Sequence, residues 1–452
     1  MYKLWLPPGT AGSSAALSAS PRAPRHLAAY AARIDRNAKP TSPTTDQANG
    51  RESAAAEPAR GSTTEAFAPV ERAFAKLVGR GAGGGALVVR MGGETVVDLC
   101  TGSADARGRR PWTPHTLALS FSTTKGVAST VIHRLADRGL IDYDEPVATY
   151  WPEFAAGGKG RVTVRDVLTH RAGLQNVRAV AERAEDLLDH VGMEERLAAR
   201  AVRAPTERSA YHAITYGWLV AGIARRVSGG CGLAELVQTE VAEPLGVEAL
   251  HIGVRDAARE QVAEPVGGAL RHFGAAARLF SPVWSRSRAS RGALNALLVP
   301  GFHRLFEGSE PPIWNTEMPA VNGAFSADAL AQLYAALANG GRDGDVQLLS
   351  PETLRTLGRV QVRGADAILG LRMRWRLGYH QAFGTGTDAP RAFGHYGYGG
   401  SGGWGDPDLG LSLGFVTNRI GSLTTPMGDL TLYRLSSIVR RCALRAAAPT
   451  AA

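Results

Sequence analysis

Cysteine is almost missing from this chain: Cys100, Cys231 and Cys442 are the only three in 452 residues. An odd, scattered set supports neither a disulfide framework nor a thiolate metal cluster, and the three read as small core residues. No His-x-x-x-His pair occurs either, so the chain carries no metal-ligand motif of that spacing. Long apolar runs are also missing, which excludes a membrane-spanning helix of the usual ~20 residues. The opening Met1–Thr10 holds one Lys and a short apolar patch broken by Pro7 and Pro8. That patch is too short for a secretory signal, and a cytoplasmic location is the default expectation. Lysine is scarce in a different sense. Of 51 basic residues, five are Lys (Lys3, Lys39, Lys76, Lys125 and Lys159) and 46 are Arg. Arg stays protonated in proteins, whereas a desolvated Lys can act as a base, so a Lys in a special place here suggests a task that Arg cannot do.

The net charge of +10 raises the question of nucleic acid. Residues 1–63 carry eight Lys or Arg against four Asp or Glu, and the remaining excess is spread along the chain with no nucleic-acid-binding module. No nucleic-acid partner is expected. Residues 1–63, rich in Ala, Ser, Pro and Thr and without periodicity, are expected to form a disordered tail. Order is expected from Thr64, where Val70, Phe74 and Leu77 fall at helical spacing. Ala86–Arg90 and Thr95–Leu99 read as strands joined by the turn Gly92-Gly93. Ser122 opens a helix whose stripe is Val127, Val131, Ile132 and Leu135, ended by Gly139. A helix with a serine cap spans Ser326 to Asn339, a hairpin includes Gly399–Trp404 and Leu411–Thr417, and a last helix runs from about Asp429 to Leu444. Strands near both ends with helices between predict an α+β architecture: sheet-forming segments 64–150 and 320–446 enclose an inserted helical domain at 151–319.

Ser122-Thr-Thr-Lys125 is the first candidate for chemistry. At a helix start, positions i and i+3 share a face, so the hydroxyl and the amine can meet. Free N–H groups and the positive end of the helix dipole favour an oxyanion and a neutral amine there. A capping serine beside a solvated lysine is the plainer reading of such a spacing. Tyr211, at the start of an apolar helix with Trp218, Leu219 and Ile223, is the second candidate. A Tyr beside that Lys is expected to have its phenol pKa lowered enough to relay protons. The third is Gly394-His-Tyr-Gly-Tyr-Gly-Gly-Ser-Gly-Gly403, whose glycines let backbone approach a ligand. The Tyr398 N–H is expected to complete an oxyanion hole with that of Ser122.

Together these stretches resemble the serine β-lactamase and penicillin-binding-protein superfamily, which carries SxxK, a Tyr motif and Lys-Thr-Gly in this order. The similarity is strongest to its esterase branch, the family VIII carboxylesterases and actinobacterial lipase-like proteins. It rests on Phe121–Gly126, Leu168–Leu174, Tyr211–Trp218, Pro319–Gly323 and Phe393–Gly397. The resemblance implies a β-lactamase-like fold, with an antiparallel sheet formed from both chain ends and flanked by helices. It implies Ser122 as nucleophile, Lys125 and Tyr211 as proton carriers, His395, Gly397 and Asn322 as substrate-binding residues, and neither a metal nor an organic cofactor. Ala213 stands where lactamases have Asn, and His395 where they have Lys. An imidazole is a poorer anion anchor than an ammonium, which favours neutral esters over penicillins.

The expected activity is hydrolysis of small carboxylic esters with short acyl chains through an acyl-enzyme. A weak β-lactamase or D-alanyl peptidase is the alternative within enzymes, and a non-catalytic binding protein on the same fold the alternative outside them. His170 reads as structural. Residues 271–305, with six Arg, no acid and several aromatics, read as a variable helical insertion or as a lid or membrane-surface patch. Oligomeric state is not legible.

Overall fold

The computed structural model describes residues 57–267, 292, 295–297, 299–421 and 430–448. Its main layer is a nine-stranded sheet. β1 (Arg60–Thr63), β2 (Gly84–Met91) and β3 (Glu94–Gly102) come from the first part of the chain. A small second sheet follows, from β4 (Ala118–Leu119), β5 (Leu250–Ile252) and β6 (Gly323–Phe325). β7 (Val362–Ala365), β8 (Arg372–Trp375), β9 (His380–Gln381), β10 (Phe393–Tyr396), β11 (Gly402–Asp406) and β12 (Leu411–Thr417) complete the large one. Its spatial order is β1-β3-β2-β12-β11-β10-β9-β8-β7, and every neighbouring pair is antiparallel. The join between the two chain ends is the β2–β12 ladder, from Leu411 opposite Met91 to Thr417 opposite Gly85.

Both faces of the centre are buried, so β2 reads as a nearly continuous apolar run. Leu87 and Val89 point into one core and Ala86 and Val88 into the other, as the period of two requires. On the first face lie α1 (Ala68–Val78) and the C-terminal helix, with Phe74, Leu435 and Val439 fully buried against Trp404 and Leu413. The helices of the other face include α2 (Thr123–Asp137), α3 (Val164–Leu168), α4 (Tyr216–Val227) and α5 (Ala327–Ala338). α6 is the C-terminal helix, Thr431–Ala446. Among the described residues, no helix is long and apolar enough to cross a membrane.

The turn at Gly92-Gly93 forms as expected, with φ of 62° and 92°, values that glycine adopts without strain. Order begins earlier than Thr64. Arg60–Thr63 pair with Val97–Cys100, because β3 would otherwise leave its outer backbone groups unpaired. The rest of the expected tail, residues 1–56, lies outside the described residues. α5 lies directly on β11 and β12. A Cβ on Gly414 would sit 2.1 Å from the Ala327 carbonyl oxygen and 2.7 Å from the Ala331 nitrogen. Gly414→Ala should therefore destabilise the fold by about 1–3 kcal/mol, the usual range for overpacking. Calorimetry would check it, and an unchanged melting temperature would show that the helix can shift freely.

Candidate active site

Ser122 sits at the N-terminal cap of α2, and the turn that delivers it is strained. Phe121, immediately before it, has φ of 43°, a conformation a bulky side chain rarely adopts. Such strain persists only where the surroundings enforce it. Here the Phe121 ring is buried edge-on to Tyr398 at 5.5 Å and beside Phe306 at 5.9 Å. The result is a seryl group that keeps partial exposure while Phe121 and Thr123–Lys125 are buried. Nothing in the sequence signals this turn.

The helix then brings Lys125 back toward Ser122. Lys125 Nζ lies 3.1 Å from Ser122 Oγ, 2.7 Å from the Ala213 carbonyl and 3.1 Å from the Ala320 carbonyl. Its side chain is fully buried, and no carboxylate pairs with it among the described residues. Burial alone therefore acts on it, and holds its pKa well below the ordinary lysine value. Burial by itself does not single out this residue. Lys159 is equally inaccessible, but its Nζ is spent on the carbonyls of Ala156 and Arg200, with no nucleophile near.

Tyr211 joins the pair from a loop upstream of α4, and not from the helix itself as its apolar surroundings had suggested. Its hydroxyl is hydrogen-bonded to the Ser122 side chain, and Lys125 Nζ stands 5.0 Å from its ring centroid. The expectation of a lowered phenol pKa is corrected. Burial raises it above the ordinary value, more than the Ser122 bond lowers it. The nearby charge of Asp366 raises it further.

Three other expected residues fare differently. His395 is 2% exposed and stacks on Tyr211 at 6.4 Å. Its Nδ1 donates to the Tyr396 carbonyl at 3.1 Å and its Nε2 has no partner. Burial pushes its pKa well below the usual value, so the ring is neutral. Gly397 lies against the start of α2, where a Cβ would come 2.1 Å from the Ser120 carbonyl oxygen. Thr123 Oγ1 donates to the Ser401 carbonyl at 3.1 Å, so the 397–401 loop is fastened beside Ser122. Asn322 is no substrate ligand, which corrects that expectation. Its Oδ1 accepts from Met318 N–H at 2.9 Å, and its Nδ2 donates to the carbonyls of Ile313 and Thr316 at 2.8 and 2.7 Å. Fully buried and saturated, it shapes the turn that presents the Ala320 carbonyl to Lys125.

His170, expected to be structural, has a φ of 61°; its Nδ1 accepts from His212 N–H, and its ring packs on Tyr211 at 4.9 Å. Much of the basic segment 271–305 lies outside the described residues. Its end, Phe302–Phe306, forms a 3₁₀ turn whose Phe306 ring reaches Phe121. Sequence reading missed Asp366 and Trp375, which hold Tyr211 from the far end of the chain.

A seryl hydroxyl bonded to a buried amine whose pKa burial lowers, and to a phenol, beside a glycine-rich backbone loop, has the parts for acyl transfer. Comparison with known proteins supports a serine hydrolase acting on ester bonds. The relatives include the Esterase/beta-lactamase LipL of Mycobacterium tuberculosis, 43% identical over 392 residues, which are 85% of this chain and 89% of that protein. Among solved structures, a family VIII carboxylesterase superposes with a TM-score of 0.71 at 33% identity, over 85% of this chain and 99% of the other. A penicillin-binding protein homologue from Caulobacter crescentus gives 0.72 at 32% identity, over the same shares. The sequence pattern of the family described as Beta-lactamase matches residues 70–436, and this chain, with its β-lactamase-like fold, belongs to that family.

Proposed function

We propose that this serine hydrolase cleaves small carboxylic esters with short acyl chains through an acyl-enzyme on Ser122. The observation that carries the reading is the 3.1 Å contact between Ser122 Oγ and a fully buried Lys125 Nζ that has no acidic partner among the described residues. A neutral amine there takes the hydroxyl proton as Oγ bonds to the ester carbonyl carbon. N–H groups of Ser122 and Tyr398 hold the resulting oxyanion. Tyr211, bonded to Ser122 and protonated, passes a proton to the departing alkoxide as the ester C–O bond breaks. Lys125, now protonated, restores the phenol. A water molecule then repeats the sequence on the acyl carbon and releases the acid. The catalytic roles rest on geometry and family together.

The substrate class rests on what is missing. Ala213 contributes only its carbonyl, to Lys125, and His395 is a neutral ring where an ammonium would anchor an anionic substrate. The relatives include an esterase/β-lactamase and a carboxylesterase, and neutral esters suit the changed positions best.

The test is turnover of p-nitrophenyl acetate and butyrate, with nitrocefin alongside, and mass-spectrometric location of a serine-directed phosphonate. Ester turnover with one adduct on the peptide containing Ser122 is the expected result. Nitrocefin turnover exceeding that of the esters would favour a β-lactamase. A folded protein that neither turns over nor takes the label would be a binding protein.

A further inference from the structure

We propose that Asp366 is the positioning residue for Tyr211, fixing both its backbone and the indole that stacks on its phenol; this rests on the role assigned to Tyr211 above. Asp366 follows β7, 155 positions from Tyr211 along the chain, and is 1% exposed. No Lys, Arg or His forms an ion pair with it among the described residues. A carboxylate in that setting needs hydrogen bonds to replace its lost water. Oδ1 accepts three, from the N–H groups of Tyr211 at 3.0 Å, Ile368 at 2.9 Å and Leu369 at 3.1 Å. Oδ2 accepts from Trp375 Nε1 at 3.3 Å.

The Ile368 and Leu369 bonds close a local turn, which many polar residues could do. The other two reach into the wall of the active site. Trp375 lies parallel to the Tyr211 ring, 7° between planes and 5.6 Å between centroids. His170 sets its edge against both rings, at 4.9 Å from Tyr211 and 4.4 Å from Trp375. The same loop is fastened again at Ser209, whose carbonyl accepts from Ala367 N–H and whose hydroxyl accepts from Trp375 Nε1. One carboxylate thus sets the backbone of the phenol-bearing residue and the plate on which the phenol lies. A turn supported only for stability would not need the second carboxylate oxygen.

Charge adds to position. The titratable groups around Tyr211 are Lys125, His170, His395, Tyr216 and Asp366, with His212 stacked behind His170. Burial pushes the three histidines and Lys125 toward their neutral forms. The negative charge of Asp366 opposes formation of a phenolate. Tyr211 is thereby kept as a proton donor, and the base at Ser122 is Lys125.

Asp366→Asn tests this. The amide keeps one oxygen for the three backbone donors, removes the charge, and turns an NH₂ toward the indole N–H. For p-nitrophenyl butyrate, kcat should fall about tenfold to a hundredfold with KM within roughly threefold, the pattern of a misplaced catalytic group. The alkaline limb of the kcat–pH profile should move to lower pH, since the phenol loses the charge that retained its proton. Adding Trp375→Phe relieves the donor clash and keeps the plate, so kcat should recover in part while the limb stays displaced. If Asp366→Asn fails to fold, Trp375→Phe alone should lower kcat by about threefold or more at unchanged KM. Profiles that superimpose on the wild type, with only the melting temperature reduced, would overturn the positioning role, as would an unchanged kcat in Trp375→Phe. Phosphonate labelling separates the two layers. Absence of the Ser122 adduct in the wild type removes the reading of the site itself, whereas normal labelling with superimposed profiles removes Asp366 alone.

Discussion

Lys125→Met is expected to lower kcat for ester hydrolysis by about 10²–10⁴-fold, the range for loss of a positioned general base. Methionine keeps the length of the stem and its apolar character while removing the amine that stands 3.1 Å from Ser122 Oγ. The carbonyls of Ala213 and Ala320 lose their donor, and each buried unpaired acceptor costs about 1–3 kcal/mol. Part of that loss is offset because a desolvated amine also leaves the core. Lys125→Arg is the harsher change, since a guanidinium remains charged and must enter a position with no exposure at all. Activity should also fall in acid. Burial holds the Lys125 pKa well below the ordinary value, so lowering the pH through that value protonates the base and stops turnover. Measurement of kcat/KM against pH for the wild type, and of kcat for Lys125→Met, checks both. Near wild-type turnover by the Met variant would overturn the role given to Lys125.

The second large effect is on stability. Burial drives His133 and His380 down to about 4 and His212 to about 3. All three are below 4% exposed. The hydrogen bonds of two of them require neutral rings: His212 Nε2 accepts from Leu174 N–H and His380 Nε2 from Tyr396 N–H. In the unfolded chain the same rings take up protons near pH 6.5. Their contribution to stability is therefore complete above about pH 6.5 and is lost as the pH falls toward the folded values near 4. Each ring contributes about 1.4 kcal/mol per pH unit across that window, so the three together make a slope of roughly 4 kcal/mol per unit. His170 and His395, also lowered by burial, act in the same direction. Thermal melts should be nearly flat from pH 8 to 7 and fall steeply below 6. A melting temperature unchanged down to pH 5 would show that the rings are already charged or hydrated in the folded protein.

Acid lability of this kind could not be read from eleven histidines in a sequence, because it depends on where the fold places them. What the sequence by itself determined was local. The Ser122–Lys125 spacing puts hydroxyl and amine on one helical face whatever the rest of the chain does. The same holds for the Gly92-Gly93 turn, for the serine cap at Ser326, which accepts from Ala329 N–H, and for the alternation along β2. Those interactions act within one turn or one strand, where periodicity and residue type fix the outcome. Only the tertiary structure decided which distant groups meet that pair. Lys125 finds its carbonyl partners 88 and 195 positions away, and Tyr211 its carboxylate 155 away. Asn322 looked like a ligand in a motif and proved to be the brace of a turn, since its hydrogen-bonding capacity is consumed by groups that sequence alone does not place. The protonation states follow the same division: residue type sets the ordinary pKa, and desolvation, which exists only once the chain is packed, moves it.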